Sequence, residues 1–442
     1  MQNISTLYQF PRKFWSVISG RYLNLSFIRF ITITIILFAI INFIIAFRTS
    51  VGGRNIYGSW TGGDYSCFYI AGKILNDHPP GKLYDFHLQS KLLHSLLPKI
   101  NITEKLPYVN PPFFALIFKP LSHLSFSVSY LSWIFISFLM YILGFKLLWK
   151  TLDSIPEETS ALLLVLSFEP FIMETILGGN TSIIGYLAIV LYLYFENLNK
   201  DILSGLSLGI LLYKPTFLII ILPMVLISRR AKIILGFGIS SILLIFLSTL
   251  AVGFETCIEY MRFLIGVSTT TLSAEEIFRT WKYVDIFSFS RLLFGTISPS
   301  VLISIVIISL VPFIFLIKKW WSLRGLNKSS RELLIASAIT LTTIINLHFG
   351  IYDTVILVPS ILVTVNVFYR GSKIYDIAKL TPSFEALLVS IFILPWISQY
   401  VARIAGLQLF TLAIAILVSY QIILERTFPK LARQYSKFRS IC

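Results

Sequence analysis

Long apolar runs separated by short polar breaks make up most of the chain. The first run, about residues 28 to 47, is followed by the longest polar stretch, from Arg48 to about Pro111. Runs of about 18 or more apolar residues recur afterwards, the length a helix needs to cross the hydrocarbon core of a bilayer. In lipid each span must satisfy its own backbone groups, so this pattern predicts helices. Further spans are expected at 126 to 149, 159 to 177, 181 to 196, 233 to 252, 299 to 318, 333 to 347, 352 to 369, 383 to 400 and 406 to 424. Residues 202 to 228 read as two short helices turning at Lys214-Pro215, since proline removes a backbone donor and disfavours helix at the residue before it. Within the polar stretch, Ser66 to Leu75 and His87 to Leu97 look helical and suited to a membrane surface. The apolar piece from Phe113 to Leu124 is too short to cross alone. The expected fold is all-α: a polytopic integral membrane protein with about 12 transmembrane helices and an external first loop carrying surface helices.

Composition agrees, with 56% apolar and 13% charged residues. The 37 Lys and Arg against 21 Asp and Glu would suggest nucleic acid in a soluble protein. Here the bases collect between spans, so no nucleic-acid partner is expected. Arg12, Lys13, Arg21 and Arg29 precede the first span. Arg229, Arg230 and Lys232 form a second cluster, and Lys318, Lys319, Arg324, Lys328 and Arg331 a third. Arg426, Lys430, Arg433, Lys437 and Arg439 end the chain. The positive-inside rule assigns all of them to the cytoplasm, with both termini. One unbroken helix over 202 to 228 would turn every later cluster outward, which is a second reason for the break at Lys214. The first apolar run is about 20 residues long with no small-residue cleavage site after it, so it reads as a retained anchor.

This topology gathers the unusual polar residues at one face: Asp64, the Gly178-Gly179-Asn180 turn, Lys214, the loop from Gly253 to about Asp285, and the turn from His348 to Asp353. Lys214 and His348 fall at membrane depth, where a charge is costly unless it lines a cavity. Asp64, in Gly62-Gly63-Asp64-Tyr65 just past the first span, stands where a lipid-borne and a water-side substrate can meet, which suits a general base. It equally suits a helix cap. The segment Arg279-Thr280-Trp281-Lys282-Tyr283 alternates bases with aromatics, a pattern that can hold phosphate and stack a sugar, or serve as an interfacial aromatic belt. Cys67, Cys257 and Cys442 lack metal or redox spacing, and a bridge between Cys67 and Cys257 stays open. His78, His87, His94 and His123 are spaced too irregularly for zinc.

Several short motifs occur in a fixed order relative to the spans. They are Gly63-Asp64-Tyr65; Gly81 with Leu83-Tyr84-Asp85; Tyr108 to Pro112 leading into Phe113-Phe114-Ala115-Leu116 and Pro120-Leu121; Gly178-Gly179-Asn180; Ser204-Gly205-Leu206 leading to Lys214-Pro215; and His348 with Asp353. On these the chain resembles glycosyltransferase family 87 of the GT-C superfamily, which contains polyprenol-phosphate-mannose-dependent mannosyltransferases. It departs from the family at Gly179, where Gln is common, and at Asn110, which intervenes between Tyr108 and the prolines.

The resemblance implies a single transmembrane glycosyltransferase domain over 1–442, with a cytoplasmic basic N-terminus (1–27), an external catalytic loop (48–111) and a cytoplasmic basic tail (425–442). It implies inverting transfer of a hexose, with mannose favoured, from a polyprenyl-phosphate donor on the non-cytoplasmic face, Asp64 acting as base. The partners would be that donor, a glycolipid, glycan or protein acceptor, and membrane lipids. Lys214, His348, Arg279 and Lys282 are the candidates for the donor phosphate. Tyr65, Tyr108, Asn110, Asn180, Trp281 and Tyr283 are those for acceptor or sugar. Asp353 would orient His348, or cap the next helix. A single phosphate can be neutralised by side chains, so neither metal nor cofactor is expected. A prokaryotic plasma membrane is the default location. The rival readings are a transporter, and another lipid-linked enzyme such as a polymer ligase. A transporter is disfavoured by the lack of an inverted repeat and by polar residues at one face rather than the midplane.

Overall fold

The computed structural model describes residues 25–57, 60–99, 106–270, 280–295, 299–372 and 381–439. Arg12, Lys13, Arg21, Arg279 and Cys442 lie outside the described residues. The chain is an all-α polytopic membrane protein, with no strand among the described residues. Helix α1 (Leu25–Arg48) is apolar nearly all round, as a span facing lipid must be. The polar stretch then folds into α2 (Gly63–Asp77) and α3 (Phe86–Leu96), the latter started by Asp85, whose carboxylate accepts from Leu88 N at 3.1 Å. Short helix α4 (Pro112–Phe118) packs on α2 through aromatic rings, with Phe68 and Phe118 stacked at 5.1 Å. Helix α2 is therefore packed into the protein through these rings, and α3 and the residue after it join it through Leu93 and Leu97 against Ile70 and Ile74.

Helix α5 (Phe126–Trp149) crosses next. Helix α6 (Glu158–Leu166) then meets a π-helix, Pro170–Leu177, at a bend of 49°. The sequence reading had one straight span there. The bend falls at Pro170, which cannot donate to the preceding turn. Helices α7 (Ser182–Asn197), α8 (Asp201–Ile210) and α9 (Ile221–Ile227) follow, α8 and α9 being separated by two 3₁₀ turns that meet at Lys214-Pro215, where the break was expected. Helix α10 (Ala231–Val252) lies tightly against α8. A Cβ on Gly205 would strike the Ile233 carbonyl and one on Gly236 the Ile202 carbonyl, so small residues set this approach. The rest comprises α11 (Phe254–Thr270), α12 (Ile286–Phe294), α13 (Pro299–Trp321), α14 (Lys328–Ile344), a 3₁₀ turn (Ile351–Ile356) running into α15 (Leu357–Ser372), α16 (Thr381–Ala405) and α17 (Leu409–Arg439).

Seven helices among the described residues are long and apolar enough to cross a membrane, eight if the bent pair counts as one span. The other expected spans are shorter. Helix α7 and the pieces on either side of Lys214 have apolar lengths of 10–17 residues, and α14 is 17 residues long. Helix α14 can be short because it does not face lipid: from Leu333 to Ile344 it is buried. Side-chain hydrogen bonds fasten its neighbours, Gln421 donating to Ser360 Oγ and Thr364 Oγ1 at 2.9 Å each, with Ser360 and Thr340 hydroxyls 2.7 Å apart. Helix α17 runs through residue 425, where a tail was expected to begin, and Glu425 is buried and paired with Lys319.

Charged residues form a network at one end of the bundle. Arg230 pairs with Glu196 and Asp201, Arg331 with Glu196, Arg370 with Asp153 and Glu332, and Arg29 with Glu157. Arg29 lies near the start of α1, whereas Asp64 follows its end, so the residues around Asp64 belong to the opposite end. Cys67 and Cys257 are free thiols, not a bridge.

Candidate active site

Asp64 is the second residue of α2, preceded by Gly62 in the left-handed region at φ 68°. That conformation is cheap only for glycine, and it turns the chain into the helix without a side-chain cap. Asp64 therefore caps nothing. It is half-buried, and its Oδ2 accepts from Asn180 Nδ2 at 3.2 Å. The helix N-terminus favours an anion there. Asn180 is held in turn, its Oδ1 accepting from Ser182 N at 3.0 Å and Ser182 Oγ at 2.7 Å. A backbone N–H can only donate, so the amide orientation follows from the network.

The turn bearing Asn180 is tied to its surroundings at four points. Tyr65 N donates to Gly178 O at 3.3 Å, Tyr130 Oη to Leu177 O at 2.6 Å and to Ile176 O at 3.3 Å, and Trp133 Nε1 to Gly179 O at 3.1 Å. The Ser182 hydroxyl also lies 2.6 Å from Asp353 Oδ1. Asp353, 1% exposed, receives Lys214 Nζ at 2.6 Å on both oxygens. One continuous chain of contacts thus runs Asp64, Asn180, Ser182, Asp353, Lys214.

Asp353 spends its carboxylate on Lys214 and Ser182 rather than on His348. This replaces the expectation that it orients the histidine. The reason is position: the third residue of a 3₁₀ turn, it points into the bundle at the break where Lys214 emerges. Lys214 is 26% exposed, lies 4.8 Å over the Tyr352 ring, and keeps one ammonium proton beyond its two contacts to Asp353. Its charge is already compensated.

A second group of residues faces this chain. His348 adopts φ 58°, has Arg291 Nη1 at 3.5 Å from its Nε2, and lies edge-on to Tyr283 at 5.3 Å. Burial, then the Arg291 charge, holds its pKa below the usual histidine value, so it is neutral at pH 7. The segment from Thr280 to Asp285 is pinned beside it. Val284 N donates to Phe349 O at 2.8 Å, Phe349 N to Asp285 Oδ2 at 2.8 Å, and Gln408 Nε2 to Trp281 O at 2.8 Å. Lys282 lies 5.4 Å over the Trp281 ring and Arg403 5.8 Å. Lys282, Arg291 and Arg403 make no ion pair among the described residues. Arg279 falls outside the described residues.

Two sequence candidates are withdrawn from direct sugar contact. Tyr65 and Tyr108 are fully buried, with hydroxyls used by Ser129 at 2.6 Å and Pro111 O at 2.7 Å. Their large rings pack the aromatic core under α2, which is why they are buried. Asn110 donates to Tyr213 O at 3.0 Å and its own carbonyl accepts from Tyr84 Oη at 2.7 Å, so it ties the first loop to the Lys214 break. Tyr84 also lines a surface recess of about 490 Å³ with Lys82, Asp85 and Glu259, which shares no residue with the Asp64 network. Ser182, Arg291, Glu174 and Tyr352 were missed by the sequence reading. Only Glu174 carried a signal, as an acid inside a predicted span.

A family model for glycosyltransferase family 87 matches residues 108–346, more than half of the chain. Asn180, Lys214, Lys282 and Arg291 fall inside the matched stretch, while Asp64, His348 and Asp353 fall outside it. No curated protein and no solved structure matches the chain.

Proposed function

The chain belongs to glycosyltransferase family 87, and from that premise we propose that it moves a hexose, with mannose favoured, from a polyprenyl-phosphate donor to a lipid, glycan or protein acceptor. Transfer takes place on the non-cytoplasmic face of a prokaryotic plasma membrane and inverts the anomeric centre. The observation that carries this reading is the Asp64 carboxylate: uncapped, half-buried, and oriented by Asn180 at the end of the bundle opposite the basic network.

Chemically, an acceptor hydroxyl is a poor nucleophile. Asp64 takes its proton as it attacks the anomeric carbon, a contribution of about 10²–10⁴-fold. The departing group is a phosphate monoester whose oxygens gain negative charge. Lys282 and Arg291, which make no ion pair among the described residues, meet that charge, and the neutral His348 imidazole can donate a hydrogen bond to it. Lys214 serves the base side instead, fixing Asp353 and through Ser182 and Asn180 the orientation of Asp64. No step needs a metal or cofactor.

The test uses purified protein with a labelled polyprenyl-phosphate hexose. Transfer of label to an added acceptor supports the reading. Flux of intact substrate across liposomes with no bond made or broken would replace it with transport.

A further inference from the structure

A second carboxylate lies beside Asp64 and the steps above give it no work. Glu174 sits in the π-helix Pro170–Leu177, the segment that delivers Asn180 to the base. A π-turn is an energetically poor way to build helix and recurs at functional sites. Its geometry shows in Gly178 N donating to Met173 O, five residues back, at 3.3 Å. Glu174 is half-buried. Its Oε1 accepts from Gln399 Nε2 of α16 at 2.9 Å, and no hydrogen bond to its Oε2 occurs among the described residues.

Gly178, which closes the π-turn, joins it to the base: a Cβ there would lie 2.4 Å from the Glu174 carbonyl oxygen and 3.8 Å from Asp64 Oδ2. Glu174 therefore stands on the turn packed against the base, its carboxyl held by α16, whose Arg403 lies 5.8 Å over the Trp281 ring.

The chemistry selects what this carboxylate meets. Lys282 and Arg291 already answer the donor phosphate, which leaves Glu174 to the sugar. It does not replace Asp64 as base, since Asp64 alone is held by the Asn180 chain. A carboxyl group accepts hydrogen bonds through a free oxygen, and the ring hydroxyls are the groups on a glycosyl donor that can donate them. The indole face of Trp281 complements it by covering the sugar's C–H side. Resting on the transfer reading above, we propose that Glu174, steadied by Gln399, binds hydroxyls of the transferred saccharide and so selects which sugar reaches Asp64.

The experiment uses the full-length protein with polyprenyl-phosphate mannose and analogues that each lack one ring hydroxyl. In wild type, one analogue should lose about 10- to 100-fold in kcat/KM, the size of a strong hydrogen bond. Glu174→Gln should lose a similar factor with the intact donor and almost nothing further with that analogue. Gln399→Ala, which leaves the carboxylate in place but unsteadied, should show the same donor-selective loss and serves if Glu174→Gln fails to fold. A uniform loss across all donors, or no loss, in an otherwise working enzyme overturns the Glu174 assignment alone. Wild type that transfers from none of these donors removes the donor reading and this assignment with it.

Discussion

Asp64 is useful because, among the described residues, one of its carboxylate oxygens has no hydrogen-bond partner. Its Oδ2 takes the Asn180 amide, and no backbone N–H of α2 claims the carboxylate. Asn180 then differs from a packing residue in what its loss should do. Asn180→Ala should lower kcat about 10- to 100-fold while KM changes little, since an orienting hydrogen bond is lost and no substrate contact with it. Equal losses in kcat and in thermal stability would make it structural. Gly179 is held by its backbone: at φ 71° and with a Cβ destined to lie 2.7 Å from that of Tyr65, it has no room for a side chain. Gly179→Ala should cost on the order of 1–3 kcal/mol in unfolding free energy and displace Asn180, read as a lower Tm with reduced transfer. Asp64 and Asn180 stood out in the sequence because they lie at polar turns beside glycines. Ser182 did not, since one serine opening an apolar helix looks like any other.

Among elements, the 280–285 segment depends on Asp285. Its carboxylate caps α12 through Ser288 N at 2.8 Å and also holds Phe349 N, locking the Trp281 strip to the His348 turn. Burial pushes its pKa up to about 6, against hydrogen bonds that pull it down. A carboxyl raised in the folded state stays protonated there while the unfolded chain ionises, so its stabilisation is greatest in acid. It is lost as pH rises from about 4 to about 6, on the order of 2–3 kcal/mol in all. Asp285→Asn removes the titration: wild-type stability relative to this variant should fall over that window and level off above it. A flat difference in thermal unfolding across the window contradicts this. Proline explains which elements were readable. Lys214-Pro215 interrupts an apolar run next to a charge and predicts its own break. Pro170 follows Glu169, but the basic clusters fall on one side without a break there, so the bend and the π-turn stayed hidden. Tyr130 and Trp133 hold the end of that turn from a different helix.

For the whole molecule, charge sorted the two ends and sequence could read it, because Lys and Arg recur in every second connection. What it could not read was the pairing. Lys214 and Asp353 are 139 residues apart, and only the packing of α7, the Lys214 break and the turn before α15 brings them together. Single cysteines at Asp64 and His348, in a background without Cys67, Cys257 and Cys442, should react with an impermeant thiol reagent applied outside intact cells. One at Arg324 should not. Labelling of Arg324 and protection of the other two would invert the molecule in its membrane. The most direct measurement compares wild type and Asp64→Asn for transfer of labelled hexose from its polyprenyl phosphate, with donor binding followed by thermal stabilisation. The account predicts that the variant is stabilised by donor as wild type is, and that its turnover falls by at least about 10²-fold. Turnover near that of wild type in the donor-bound variant would contradict it.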